Sequence, residues 1–445
     1  MKSTYLSGAL FAGALTLAVT AFADNDLLDL RVSPERDQVF KSDDAEVIFD
    51  VNLHGRDSVS ERHTPINLAL VLDHSGSMEG PKLEKARQAA CIAIDHLQPT
   101  DIFSLVQFDD QVDVLIPAQP VEDKERLKGI VERIRPGGST ALYAGVQEGA
   151  HQLRKYFDEK NVNRIILVSD GIANVGPSSP GELAEMARDL REKGSSVTTV
   201  GLGDDYNEDV MVSIAEGSGA NYYYVKDAEK LPGVFEEELG QVKNAVAQNL
   251  RIIIEVPEGV EPIEIIGMPN VHFQGRTATI QLGSFYASQR RDLLVRCRVK
   301  SPQGDSGEIG RAHIVYAAPG DGKEQQTDAV ATVKFTDQKD VAAKSISTTV
   351  ATQVALSENA AARGRALALQ DAGNLKAAAG VLKARAALDA AAAPALKNDK
   401  LANEAKDLDS LSDQFDSGRP LDNSQRKAFH YESYNQVNQK DQQAQ

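Results

Sequence analysis

Residues 66–72 read INLALVL, an almost unbroken apolar run that ends abruptly in Asp73-His74-Ser75-Gly76-Ser77. A strand with one wet face alternates apolar and polar residues, so a continuous run of this length predicts a strand covered on both faces, as in a parallel sheet. A helix follows at residues 82–97, where Leu83, Ala86, Ala90, Ala93, Ile94 and Leu97 fall on one stripe and Pro81 suits the first turn. Further strands are expected at residues 102–108, 112–116, 164–169, 197–202 and 222–225. Helical stretches separate them near residues 124–134, 141–156, 181–192 and 209–215, with a last helix at 230–247. This alternation predicts an α/β fold with a doubly wound, mostly parallel sheet over residues 64–247, whose sites lie at the carboxyl ends of the strands.

The flanks read differently. Residues 24–63 carry β-formers such as Val32, Val39, Phe40, Val47, Phe49 and Val51, and residues 248–338 carry strands parted by Gly, Pro and Asn turns. The N-terminal strands lack a core of their own, so both segments are expected to build one accessory β-sandwich domain with the α/β domain inserted between them. The alternative is an independent β-domain after the α/β domain. Residues 339–398 are alanine-rich and helical, broken at Asp371-Ala372-Gly373-Asn374, and predict a C-terminal helical hairpin. Residues 399–445 are polar, rich in Asp, Asn and Gln, and are expected to be a disordered tail.

Residues 1–23 resemble a cleavable signal peptide: Lys2, then an apolar stretch over residues 6–20, then Ala21-Phe22-Ala23 before Asp24. No later apolar run is long enough to span a bilayer, and no cysteine directly follows the signal to take a lipid, so a periplasmic or secreted chain with no integral membrane span is expected. Its oligomeric state is left open. The net charge of −17 and the absence of a basic run argue against nucleic-acid binding, which needs clustered Lys and Arg. Cys91 and Cys297 fall in different predicted domains, and both are expected to be buried and unpaired, with a single bridge the minority reading.

The chemistry gathers in three loops at one sheet edge. Asp73, Ser75 and Ser77 place a carboxylate and two hydroxyls at alternate positions in a loop entering a helix. Gly137-Gly138-Ser139-Thr140 precedes a helix, and Ser169-Asp170-Gly171 follows a strand. Hard divalent cations take oxygen ligands, and magnesium keeps places for water or an incoming ligand. Together the loops resemble the metal-ion-dependent adhesion site of von Willebrand factor A domains, and the late block at residues 215–225 is similar to bacterial, extracytoplasmic members often grouped with inter-alpha-trypsin inhibitor heavy-chain-like proteins. The resemblance covers about residues 66–242.

That resemblance implies a divalent cation, Mg2+ first with Mn2+ or Ca2+ as alternatives, bound directly by Ser75 and Ser77. Thr140 joins in the ligand-engaged form, and Asp73 and Asp170 act through water or hydrogen bonds. It further implies a protein partner presenting Asp or Glu to the cation, and a last helix, 230–247, that moves on engagement. A second reading is a scaffold or regulator of an envelope assembly with a mainly structural metal. No phosphate-binding lysine loop, HExxH or GxSxG occurs and the eight histidines are scattered, so no enzyme is expected. His74 reads as exposed, Asp109-Asp110 as a strand turn, and Tyr222, Tyr223 and Tyr224 as packing. Gly201-Leu202-Gly203 lacks the third glycine of a dinucleotide loop.

Overall fold

The computed structural model describes residues 27–439 apart from 43, 58–63, 269, 301, 303, 320 and 321. The expected signal peptide at residues 1–23 lies outside them. Strands β1 (Leu28–Pro34), β2 (Gln38–Phe40) and β3 (Asp44–Gly55) come first. The chain then winds through β4 (Ile66–Asp73), α1 (Pro81–His96), β5 (Ile102–Phe108), β6 (Val112–Pro120), α2 (Lys124–Val131), α3 (Leu142–Arg154), β7 (Val162–Ser169), α4 (Pro180–Glu192), β8 (Ser195–Leu202), α5 (Glu208–Ser218), β9 (Tyr222–Val225) and α6 (Leu231–Lys243).

Six of these strands form one sheet in the order β6-β5-β4-β7-β8-β9, parallel except for β6. Every residue of β4, β7 and β8 is buried. The reason is visible in the two cores: Leu68, Leu70 and Leu72 pack with α1 and α6 on one face, while Ala69 and Val71 pack with α3 on the other. Each such Leu or Val side chain contributes about 1.5–3 kcal/mol by leaving water. The chain moves from β4 to β5 on one side and to β7 on the other, so the strand order reverses at β4 and a crevice opens beyond its carboxyl end.

After α6 come β10 (Ala245–Glu255), β11 (Val260–Ile265), β12 (Thr277–Tyr286), β13 (Arg290–Lys300), β14 (Ser306–Ala317) and β15 (Glu324–Thr336). They build two sheets with the N-terminal strands, β1-β3-β13-β11 and β12-β10-β14-β15-β2. Phe49, Val51, Leu53, Val295 and Cys297 of the first sheet share a core with Ile252, Ile254, Ile314 and Val333 of the second. The α/β unit thus stands between strands that pair with one another across it. The last helix is shorter than the sequence suggests. It stops at Lys243 because Ala245, Val246 and Ala247 already belong to β10, with Val246 and Ala247 in the sandwich core.

Helices α7 (Lys339–Lys344), α8 (Thr348–Asp371), α9 (Leu375–Leu396), α10 (Asp399–Asp416) and α11 (Asn423–Asn438) close the chain. The expectation of a disordered tail after residue 399 is therefore corrected. Asn398 caps α10, whose Leu401, Ala405, Leu408 and Phe415 are buried at helical spacing, and a reciprocal Asp422–Gln425 box caps α11. Leu408 and Phe415 dock on α8 and α9 in a common core with Ala366, Leu367, Ala378 and Leu382, and Leu401 packs separately with Ala355 and Ala393. The polar composition mostly describes the outer faces, although Ser412, Lys427 and Asn435 are buried. Among the described residues no helix is long and apolar enough to cross a membrane. Both cysteines are free; Cys297 is buried, but Cys91, expected buried as well, is only half-buried at the margin of its core.

Candidate functional site

At the carboxyl end of β4 the Asp73 side chain is fully buried, with one oxygen accepting Ser75 N at 2.8 Å and the other accepting Ser169 Oγ at 2.5 Å. Burial pushes the Asp73 carboxyl above its ordinary range, against these hydrogen bonds, which favour the charged form. Ser75 Oγ lies 3.1 Å from Ser77 Oγ, and Ser77 Oγ donates to Asp170 Oδ1 at 2.7 Å. Asp170 is buried while Ser77 is exposed, so the set opens to solvent on the Ser77 side. Thr140 is held by its backbone: its N–H donates to Asn174 Oδ1 at 3.0 Å, and its carbonyl accepts from Asn174 N at 3.2 Å. A Cβ on Gly171 would come within 2.8 Å of Thr140 Oγ1 and 3.6 Å of Asp73 Oδ2, which places the threonine hydroxyl beside the two aspartate loops.

All five residues singled out from the sequence, Asp73, Ser75, Ser77, Thr140 and Asp170, thus converge on one rim. Three hydroxyls and two carboxylates are hard oxygen donors with few charges, a set that fits a magnesium-sized cation retaining other ligands. Among the described residues no cluster of three or more His, Cys, Asp or Glu forms a closed metal cage. Ser75, Ser77 and Thr140 would hold such an ion directly, backed by Asp73 and Asp170.

Four neighbours escaped the sequence reading. Asp109, taken as a turn residue, accepts Gln111 N and Gly138 N, each at 2.8 Å, and its carbonyl accepts Ala141 N at 2.7 Å. It anchors the loop that carries Thr140. Burial works to raise its carboxyl, but these N–H donors bring it below the ordinary range. Gly137 keeps this corner compact, since a Cβ there would meet Asp109 Oδ2 at 2.2 Å and His74 Cε1 at 2.8 Å and push both side chains aside. His74, expected exposed, is only 7 % exposed: Nδ1 donates to the Arg135 carbonyl at 2.8 Å and Nε2 faces Asp109 Oδ2 at 3.8 Å, because the glycine loop folds over it. Asn174 ties Thr140, as above. Lys82 at the start of α1 pairs with Asp170 Oδ2. A lysine in a helix's first turn opposes the helix dipole, and that was the one signal available.

The same sheet holds a second polar cluster near the other end of β7. Arg164 and Glu238 of α6 are both buried, 3.3 Å apart. Thr198, Asn221 and Tyr223 donate to the Glu238 carboxylate at 2.5, 2.6 and 3.0 Å, and Arg164 bonds Tyr286 of β12. Tyr222 and Tyr224 bond Tyr206 OH and Asp204 at 2.7 and 2.6 Å.

Residues 67–237 match the family model of the von Willebrand factor type A domain. Over 273 residues the chain is 29 % identical to an uncharacterized protein of Synechocystis sp., covering 59 % of this chain and 64 % of that protein. Over 207 residues it is 28 % identical to inter-alpha-trypsin inhibitor heavy chain H3 of Rattus norvegicus, covering 44 % and 22 %. The matches span less than two thirds of either relative. Among solved structures, a von Willebrand factor type A protein from Catenulispora acidiphila shares the fold with a TM-score of 0.72 at 18 % identity, over 91 % of this chain and 96 % of that one. The ArnB paralog VWA2 from Sulfolobus acidocaldarius follows at 0.61 and 17 %, over 92 % and 98 %.

Proposed function

We propose that this chain, whose residues 67–237 form a von Willebrand factor type A domain, is an exported protein-binding module that holds a divalent cation and grips an acidic side chain of a partner protein through it. The observation that carries this reading is the meeting of Ser75, Ser77 and Asp170 within 3.1 Å steps at a rim open to solvent. When bound, the cation supplies a Lewis-acidic centre for an anionic oxygen, with Mg2+ matched to a small set of oxygen donors that leaves places for water or a partner. Ser75 and Ser77 present hydroxyl oxygens to it. Asp73 fixes the loop through Ser75 N and Ser169 and lends charge, and Thr140 stands ready on its Asn174 tether.

The surroundings suit a protein partner. Ile172 and Val175, in the loop directly after Asp170, are 58 % and 40 % exposed, large apolar side chains that a docking surface would cover. Residues 1–23 are the proposed export signal, which places the module in the periplasm or outside the cell. Mg2+ titrated into the full chain, followed by calorimetry, tests the reading: wild type takes up the ion and Ser75→Ala/Ser77→Ala does not. Equal uptake by both proteins would reject it. In the alternative, an envelope scaffold, α11 is the organising element, since Tyr434 OH accepts Tyr222 N at 3.1 Å and the Val437 carbonyl accepts from Arg291 at 2.9 Å. Partner binding insensitive to chelator would favour that second role.

A further inference from the structure

Lys82 is the second residue of α1, following Pro81. The free N–H groups of a helix's first turn make that position unfavourable for a cation. Lys82 is nonetheless held there by its ion pair with Asp170 Oδ2, while Asp170 Oδ1 accepts Ser77 Oγ at 2.7 Å. The Asp170 side chain is fully buried and that of Lys82 is 27 % exposed, so the ammonium stands between the buried carboxylate and solvent. It also lies against the end of β8, where a Cβ on Gly203 would come within 3.4 Å of Lys82 Cε and 3.5 Å of Nζ. An ammonium has three N–H donors, and the pair with Asp170 occupies one of them.

We propose that Lys82 is a positioning residue of the site itself: it offsets part of the charge that Asp170 offers a cation, and it turns its spare donors to the carboxylate of the incoming partner. The inference rests on the cation-dependent reading above. The two aspartates of the donor set, Asp73 and Asp170, carry two negative charges, which a divalent ion cancels, and Lys82 adds one positive charge beside them; Asp109, engaged with Gln111 N, Gly138 N and His74, stands outside that set. A neutral site has no electrostatic preference for an anion, whereas a positive one does. The same ammonium repels the metal, so Lys82 lowers cation affinity and raises carboxylate affinity. A residue that merely braced the fold would move both in one direction.

The test uses Mn2+ as the cation and acetate as the carboxylate, with the full chain as wild type, Lys82→Met and Lys82→Arg. Mn2+ uptake is read by electron paramagnetic resonance, and acetate binding by the relaxation of water protons at the bound Mn2+. Removing one nearby like charge should tighten Mn2+ binding about threefold to tenfold in Lys82→Met and weaken acetate binding about tenfold, with Lys82→Arg close to wild type because it keeps the charge. Affinities for both ligands that fall together, or that stay unchanged, in Lys82→Met would overturn the role of Lys82 while leaving the cation site standing. Wild type that takes up no Mn2+ would end the cation-site reading, and this inference with it.

Discussion

The two ends of β7 carry similar chemistry put to opposite uses. Near its start, Arg164 meets Glu238 in the interior, and Thr198, Asn221 and Tyr223 supply the remaining donors for the carboxylate, so the chain answers its own charge. Past its end, Asp73 and Asp170 are equally buried, yet they face hydroxyls at a rim where one ammonium, paired with Asp170, is set against two carboxylates. Buried charge needs compensation wherever it lies. A cluster whose charges are paired from within fixes architecture, while one left short of positive charge is suited to a cation from outside.

The largest expected effect comes from breaking the satisfied end. Glu238→Ala strands the Arg164 guanidinium in the interior, and losing one partner of a buried pair costs about 3–5 kcal/mol. Urea unfolding should register that loss, whereas Mg2+ affinity should change little because the rim residues sit on other loops. Glu238 also pins α6 to the sheet, and α6 runs straight into β10. Any displacement of α6 in response to a bound partner must therefore work against this cluster. Stability near that of wild type in Glu238→Ala would break the comparison at its root.

At the unsatisfied end, the gain should come from the ligand. With Mg2+ at a hundred times its dissociation constant, a folded-state site stabilises the chain by about 2.7 kcal/mol. That increment should appear in the thermal unfolding of wild type and vanish in Asp73→Ala. A variant that keeps the full increment would show the cation sitting elsewhere.

The α11 contact offers an intermediate case, charged yet satisfied. Glu208 accepts from Lys427 at 3.0 Å and from Arg426, and Asp209 lies 3.1 Å from His430 Nε2. Burial works to raise the Glu208 carboxyl, but its backbone and these cations bring it below the ordinary value of 4.5, and hydrogen bonding to His430 first of all lowers Asp209. A carboxyl depressed in the folded state contributes stability above its unfolded pKa and loses it as pH falls through the folded one. Hydrogen exchange in α11 should therefore accelerate only below about pH 4.5, by roughly tenfold for each unit between folded and unfolded pKa. Acceleration beginning near neutrality would point to histidine instead.

How much of this was legible follows from the range of the interactions. The β4 strand announced itself because both its faces are covered and no polar residue interrupts residues 68–72. Asp73, Ser75, Ser77, Thr140 and Asp170 were legible as a motif in loops that a doubly wound sheet must bring together. His74 was misread because its burial depends on Arg135, 61 residues on. Lys82 was missed because its partner is 88 residues away, and Asp109 because a turn and a loop anchor use the same residue type. Helices α10 and α11 were hidden by their own solvent faces, whose Asp, Asn and Gln outnumber the stripe of Leu401, Leu408, Phe415 and Phe429.

The finest test of the open end alters shape and no charge. In Gly171→Ala the new methyl would stand 2.8 Å from Thr140 Oγ1 and 3.5 Å from its Cγ2, too close for the hydroxyl to stay where it is. Asn174 ties only the Thr140 backbone, so the side chain yields first. Gly171 is only half-buried and the Arg164–Glu238 cluster is untouched, but Thr140 is buried and must shift, so stability in urea unfolding without added cation should fall by about 1 kcal/mol at most. Mg2+ affinity should fall by about threefold to tenfold, which is up to about 1.4 kcal/mol, if Thr140 belongs to the donor set. Unchanged affinity would remove Thr140 from that set and leave the cation to Ser75, Ser77 and the two aspartates.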